Sequence, residues 1–323
     1  YAGARFLPPG GGRAGGTGGA TTARVTAVSQ LTNLPGRQYA ACLSPDGKML
    51  LYVAGTGGNE DIFLQRVGGE NGINLTESFD GADYDPAFSP DGERIAFCSA
   101  RDGGGIFVMG ATGESPRKVT EGGAHPTWSP DGRRIAYSTE RVPNPFSRTT
   151  TASLRVVDVA TGEQKRIYEG DAVQPAWSPS GQRIAFMATE KGQRDVCTIS
   201  AEGGTVTPVT ADVPADWEPF WAHDGRSLFF LSDRGGNADL WRVAINEASG
   251  APGGAPTPVT TGVASVMSGS VSADGQRVAI VVNEARSELL KLAFDPVAGR
   301  SEGTPTRIFA SSNAMTQPAL SPD

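Results

Sequence analysis

The chain has 323 residues, 43 of them Gly and 23 Pro, with a formal net charge of −7. That length and turn-rich composition suit one all-β repeat domain, and an acidic balance without a dense Lys/Arg block excludes a nucleic-acid groove, which needs a basic footprint. No apolar run reaches about 18 residues, so the sequence offers no membrane-spanning helix.

Residues 1–23 carry Pro8-Pro9-Gly10-Gly11-Gly12 and Gly15-Gly16-Thr17-Gly18-Gly19. This is linker composition without apolar periodicity. A phosphate-cradling loop would need a Gly-Lys-Ser/Thr ending after a strand, and neither is present. Arg24 to Thr32 reads as a lone fourth strand.

From residue 37 onward one turn recurs. It is Ser44-Pro45-Asp46-Gly47, then Ser89-Pro90-Asp91-Gly92, then Ser129-Pro130-Asp131-Gly132. Weaker copies are Ser178-Pro179-Ser180-Gly181, Ala222-His223-Asp224-Gly225 and Ser272-Ala273-Asp274-Gly275, and Ser321-Pro322-Asp323 begins another. A period of about 40 to 50 residues marks a repeat architecture. Pro presets φ at the second turn position, the Asp at the third serves the turn, and the Gly at the fourth is suited to positive φ. Asp46, Asp91, Asp131, Asp224 and Asp274, with Gly47, Gly92, Gly132, Gly225 and Gly275, are therefore assigned to hairpins and not to an acid array.

The flanks complete the repeat. A short first strand such as Pro86-Ala87-Phe88 precedes the turn, and an apolar second strand such as Arg94-Ile95-Ala96-Phe97 follows it. A third strand (Ile106-Phe107-Val108) and a fourth ending in Val119-Thr120 close the unit. Four antiparallel strands per repeat predict a β-propeller. Six full repeats are expected at about 37–76, 83–120, 123–168, 172–210, 216–260 and 266–309. The third carries a long second-to-third turn, Glu140 to Ala152. Met315 to Asp323 reads as a lone first strand. The two ends are expected to share a split blade lacking its middle strands, which implies seven or more blades in a longer protein; if a six-bladed ring closes instead, one of the two end strands is redundant. The expected domains are a linker at 1–23 and a propeller at 24–323, incomplete at its C-terminus.

The chemistry-bearing residues are sparse. Cys42, Cys98 and Cys197 form no Cys-x-x-Cys, and they are read as buried thiols in blade packing. There are two His and neither a Gly-x-Ser-x-Gly elbow nor a His-Glu-x-x-His motif. No catalytic residue, metal site or cofactor is expected. Trp128, Trp177, Trp221 and Trp241 are assigned to blade packing. The binding surface is expected at one mouth of the central channel, from residues just before the Pro slot of each first strand. Asp83, Tyr84, Asp85, His125, Gln174, Asp216, Trp217, Glu218 and Gln317 are the candidates, with Tyr39 and Met267 at the same offset. Their carboxylates favour a protein or peptide ligand of cationic character, or a divalent ion, and Tyr84 and Trp217 offer faces for a cation.

The repeated Pro-x-Trp/Phe-Ser-Pro-Asp-Gly and the segment Ser232-Asp233-Arg234-Gly235-Gly236-Asn237-Ala238-Asp239-Leu240-Trp241 resemble the TolB-type β-propeller family. The run from Asn74-Leu75-Thr76 through Ser89-Pro90-Asp91-Gly92 to Gly113-Glu114-Ser115 is similar to the C-terminal region of bacterial receptor serine/threonine kinases. That likeness implies a sensor outside the cytoplasm, tethered to a membrane-anchored kinase that this sequence does not contain. Two other settings stay open for such blades: a TolB-like periplasmic scaffold, and the gating propeller of a prolyl-oligopeptidase-family enzyme.

Overall fold

A repeat whose second strand is apolar on both faces cannot bury that strand alone, so neighbouring repeats must stack. In the computed structural model they do so as an all-β propeller. It describes residues 2–7, 29–32, 37–56, 59–141, 151–260, 266–275, 277–283, 287–295, 297 and 300–311.

The N-terminus supplies β1 (Ala2–Leu7) and β2 (Ser29–Gln30). Blade one is β3 (Gln38–Leu43), β4 (Met49–Thr56), β5 (Asn59–Arg66) and β6 (Gly72–Asn74). Blade two is β7 (Asp83–Phe88), β8 (Arg94–Ser99), β9 (Gly105–Gly110) and β10 (Arg117–Lys118). Blade three is β11 (Ala124–Trp128), β12 (Arg134–Ser138), β13 (Leu154–Asp158) and β14 (Gln164–Tyr168). Blade four is β15 (Val173–Trp177), β16 (Arg183–Glu190), β17 (Gln193–Ser200) and β18 (Thr207–Pro208). Blade five is β19 (Asp216–Trp221), β20 (Ser227–Ser232), β21 (Asp239–Ala244) and β22 (Thr257–Pro258). Then come β23 (Val266–Val271), β24 (Val278–Asn283) and a separate hairpin of β25 (Ser287–Asp295) and β26 (Arg300–Ser311). Among the described residues there is no α-helix; Arg101–Gly103 forms a single 3-10 turn.

The first five blades use consecutive strands, and the sixth is composite, in the order β2-β1-β24-β23. This corrects the expected split blade. Ala2–Leu7, within the stretch read as a linker, pairs antiparallel with β24 from Ala2↔Asn283 to Leu7↔Val278. The second strand of the sixth repeat thus finds its partner at the N-terminus, and six blades close the ring. The proposed lone first strand Met315–Asp323 lies outside the described residues, as does the early part of Arg24–Thr32.

First strands lie innermost, each beside that of the next blade, with β23 beside β3 at the closure. Leu43 donates its N–H to Ser270 Oγ at 3.0 Å there, and Arg277 reaches the Gly47 carbonyl at 2.6 Å. Arg94 makes the equivalent reach from blade two to the Gly132 carbonyl of blade three, at 2.9 Å. The core sits between blades. Leu51, Val53 and Ile62 of blade one pack on Ile95, Phe97, Phe107 and Met109 of blade two, all buried.

The recurring turn has the expected mechanics. Gly47, Gly92, Gly132, Gly225 and Gly275 have φ between 66° and 76°. Ser89 Oγ donates to Asp91 Oδ1 at 2.5 Å, and the same oxygen accepts the Glu93 N–H at 3.0 Å. Asp46, Asp131 and Asp274 accept from Ser44, Ser129 and Ser272 in the same way. Asp224, which follows Ala222, accepts the Arg226 N–H at 3.0 Å. Fourth-strand threonines latch the third strand: Thr260 Oγ1 accepts from Leu240 and donates to Asp239, both at 2.9 Å.

Candidate functional site

The residue before the Pro slot is where the inner strands depart from regular pairing. In blade two Tyr84 pairs with Cys98 and Ala87 with Ala96, so Asp85 and Pro86 face one residue of β8. This is a β-bulge, and Pro fits it because Pro has no N–H to give the ladder. The same shift occurs at Ala40, His125, Gln174 and Glu218. All five residues have φ between 50° and 53°. A left-handed backbone at a non-Gly residue carries strain that the surrounding structure must hold, and it re-aims the side chain. Blade six shifts register at Val266/Ser268 instead, and Met267 is exposed.

The bulged residues of neighbouring blades are stitched together. Asp85 Oδ2 accepts the His125 N–H at 3.4 Å and lies 3.2 Å from His125 Nδ1. Gln174 Oε1 accepts the Glu218 N–H at 3.0 Å, and Glu218 Oε1 accepts the Gly269 N–H at 3.2 Å. Glu218 is half-buried. Burial pushes its carboxyl up to about 8, and the Asp85 charge adds to the rise. Asp85 and Glu218 belong to blades two and five, which stand opposite in a six-bladed ring.

Three expected mouth residues lie elsewhere. Asp83 and Asp216 are fully buried inside their own blades. Arg101 binds Asp83 Oδ2 at 2.5 Å, and Arg234 binds both Asp216 oxygens at 2.8 Å. Each Arg also packs on aromatic rings, Phe79 for Arg101 and Trp241 for Arg234. These carboxylates lie two residues before the bulged residue, in the regularly paired start of the strand opposite Ser99 and Ser232, and the bulge turns the later side chains away from that register. Trp217 is likewise core, against Val266 and Leu231. Gln317 lies outside the described residues. The carboxylates of Asp195, Asp212 and Asp216 converge closely enough to suggest a cation site, but Arg234 already bridges Asp212 and Asp216. The thiols of Cys98 and Cys197 are buried and pushed up by that burial, Cys197 to about 12.

Sequence reasoning missed Arg141. It begins the long β12–β13 connection, and connections between second and third strands emerge at the same end of the ring as the starts of the first strands. Its guanidinium lies 3.7 Å over the Tyr84 ring and donates to Tyr39 Oη at 3.2 Å. Burial works against its charge, but the nearby Asp85 carboxylate and Tyr39 outweigh this and hold its pKa above the ordinary value. The length of that turn was the available signal; its contact to blades one and two was not legible.

These blades, with their innermost first strands and a left-handed residue at the same offset in five of them, define a six-bladed β-propeller. The sequence profile of the TolB beta propeller domain matches residues 21–143 and 124–323, and the chain belongs to that family. A protein described as TolB from Agrobacterium tumefaciens shares the fold with a TM-score of 0.68 at 20% identity, covering 87% of this chain and 97% of that one. TolB from Acinetobacter baumannii gives 0.58 at 18%, covering 87% and 64%. Oligogalacturonate lyase in complex with manganese gives 0.53 at 18%, covering 84% and 77%, so enzymes also use these blades.

Proposed function

We propose that this chain is a non-catalytic propeller that binds a protein or peptide at the channel mouth, as the outer, sensing domain of a receptor serine/threonine kinase. The supporting observation is the set of bulged residues at the same offset of successive inner strands, in which Asp85, His125, Gln174 and Glu218 carry polar side chains on strained backbone. Strained backbone persists only where the surrounding structure holds it, and such residues cluster at binding and switch sites. The kinase attachment rests on sequence likeness, and family membership equally suits a TolB-like scaffold in the periplasm.

The test is calorimetry of Lys/Arg-rich peptides and divalent cations against the wild type and the double variant Asp85→Asn/Glu218→Gln in low salt. Peptide binding by the wild type, weakened at least tenfold in the variant, supports the reading. No binding, or equal binding by both, overturns it. Sequencing the flanking gene decides the attachment: a kinase and one membrane span upstream support the receptor, whereas a Gly-x-Ser-x-Gly region downstream points to a peptidase.

A further inference from the structure

We propose that the channel mouth contains a guanidinium-recognition subsite, built from Tyr39, Tyr84 and Asp85, which this chain fills with its own Arg141 and for which an arginine of a partner peptide competes. The inference deepens the peptide-binding reading above and rests on it.

Arg141 differs from Arg101 and Arg234, which also pack on aromatic rings. Arg101 and Arg234 each hold a fully buried carboxylate from the same blade, Asp83 and Asp216, and so brace that blade. Arg141 belongs to blade three, but its hydrogen-bond partner Tyr39 is in blade one and its stacking partner Tyr84 is in blade two. It therefore reaches across the entrance. Its partners offer what a planar cation needs. The Tyr84 ring supplies a face at 3.7 Å, Tyr39 Oη accepts a hydrogen bond at 3.2 Å, and the Asp85 carboxylate supplies charge. A flat aromatic face with a hydrogen-bond acceptor beside it favours guanidinium over the compact, strongly hydrated ammonium of lysine.

The subsite is also preorganised. Asp85 is fixed at φ 51° by its bulge and tied to His125 at 3.2 Å. Ala40, beside Tyr39, has φ 52°. Rigid groups lose little freedom on binding, so a ligand arginine would meet a site already shaped for it. An internal occupant reduces the apparent affinity for an external one to the intrinsic affinity multiplied by the fraction of time the site is open. The mouth is thus selective for ligands that bring an arginine and further contacts sufficient to outcompete Arg141.

The probes are acetyl-arginine amide, its neutral analogue acetyl-citrulline amide, and acetyl-lysine amide. Each is titrated into the wild type, Arg141→Ala and Arg141→Gln, with melting curves to establish that the variants are folded. Arg141→Gln keeps the length and polarity near the backbone, so it serves if Arg141→Ala folds poorly. The expected result is at least tenfold tighter binding of the arginine probe once Arg141 is replaced, with citrulline and lysine weaker, and loss of that gain when Tyr84→Ala is added. Equal affinity in wild type and variants, or a gain that survives Tyr84→Ala, overturns the subsite. Lys/Arg-rich peptides are titrated in parallel. A gain for the arginine probe without peptide binding supports the subsite and overturns the peptide-binding reading. Peptide binding that needs Asp85 and Glu218 but is unmoved by Arg141→Ala does the reverse, and no binding of either kind overturns both.

Discussion

Gln174 Oε1 accepts the backbone N–H of Glu218 at 3.0 Å, joining the bulge of blade four to that of blade five. The bond fixes the Glu218 backbone and leaves its side chain enclosed, where burial raises the carboxyl to about 8 from an ordinary 4.5. The linkage has a definite sign. Below about 4.5 both folded and unfolded chains hold the proton. Between about 4.5 and 8 only the folded chain holds it, so this group's contribution to stability falls as pH rises. Glu218→Gln keeps an acceptor for Gly269 and removes the titration. The variant is expected to melt several degrees above the wild type at pH 8.5, with the difference shrinking towards pH 4.5. Melting curves across that range check this, and a difference independent of pH would refute it.

Ala40 shares the left-handed geometry of Asp85, His125, Gln174 and Glu218 but has no side chain to reach the next blade. Its strain is therefore relieved by Gly without loss of a hydrogen bond. Ala40→Gly is expected to raise stability by about 0.5–1 kcal/mol, a gain set by the positive φ and reduced by the greater freedom of unfolded Gly. At Gln174 the balance reverses, since Gln174→Gly removes the acceptor for Glu218 and should be destabilising. Urea denaturation of the two variants distinguishes them by sign.

The repeat was legible because its punctuation is local. Ser89, Asp91 and Gly92 bond within one turn, so their spacing specifies the hairpin wherever it occurs. The bulge was less legible. The Pro after Asp85, His125, Gln174 and Glu218 marks the right offset, but the register shift and positive φ follow from pairing with the second strand. The three residues before that Pro do not form one surface: both faces of the inner strand are covered before the bulge, so Asp83, Asp216 and Trp217 are all buried. Arg141 and the closure were illegible for one reason. Both depend on contacts between distant parts of the chain, Arg141 to Tyr39 and Ala2–Leu7 to Val278–Asn283.

The buried pair of Asp83 and Arg101 carries a separate prediction. Asp83→Asn leaves the Arg101 guanidinium without its carboxylate in a site walled by Phe79, Phe97 and Phe107. Removing one partner of a buried pair typically costs about 3–5 kcal/mol. Asp85→Asn, at a partly buried position where the amide oxygen can still accept the His125 N–H, is expected to cost less than about 1.5 kcal/mol. Chemical denaturation of both variants checks the ranking. Equal losses would mean that Asp83 is not the brace its geometry indicates.

The composite sixth blade makes the last prediction. Among the described residues β24 is held by β23 on one side and by β1 on the other. Deleting residues 1–7 removes the whole ladder from Ala2↔Asn283 to Leu7↔Val278 and bares the apolar strand Val278–Asn283. An open apolar edge invites pairing with another chain. The truncated protein is expected to melt several degrees lower and to associate as its concentration rises, read by calorimetry and light scattering. A competing strand lies nearby in the sequence. β25 starts at Ser287, soon after β24 ends at Asn283, and Leu289-Leu290-Lys291 follows Gly275 at a spacing similar to that of Leu240-Trp241-Arg242 after Gly225. If the truncated protein stays monomeric and keeps its melting temperature, β25 has taken the place of β1 beside β24, and the N-terminal strand is dispensable for closing the ring.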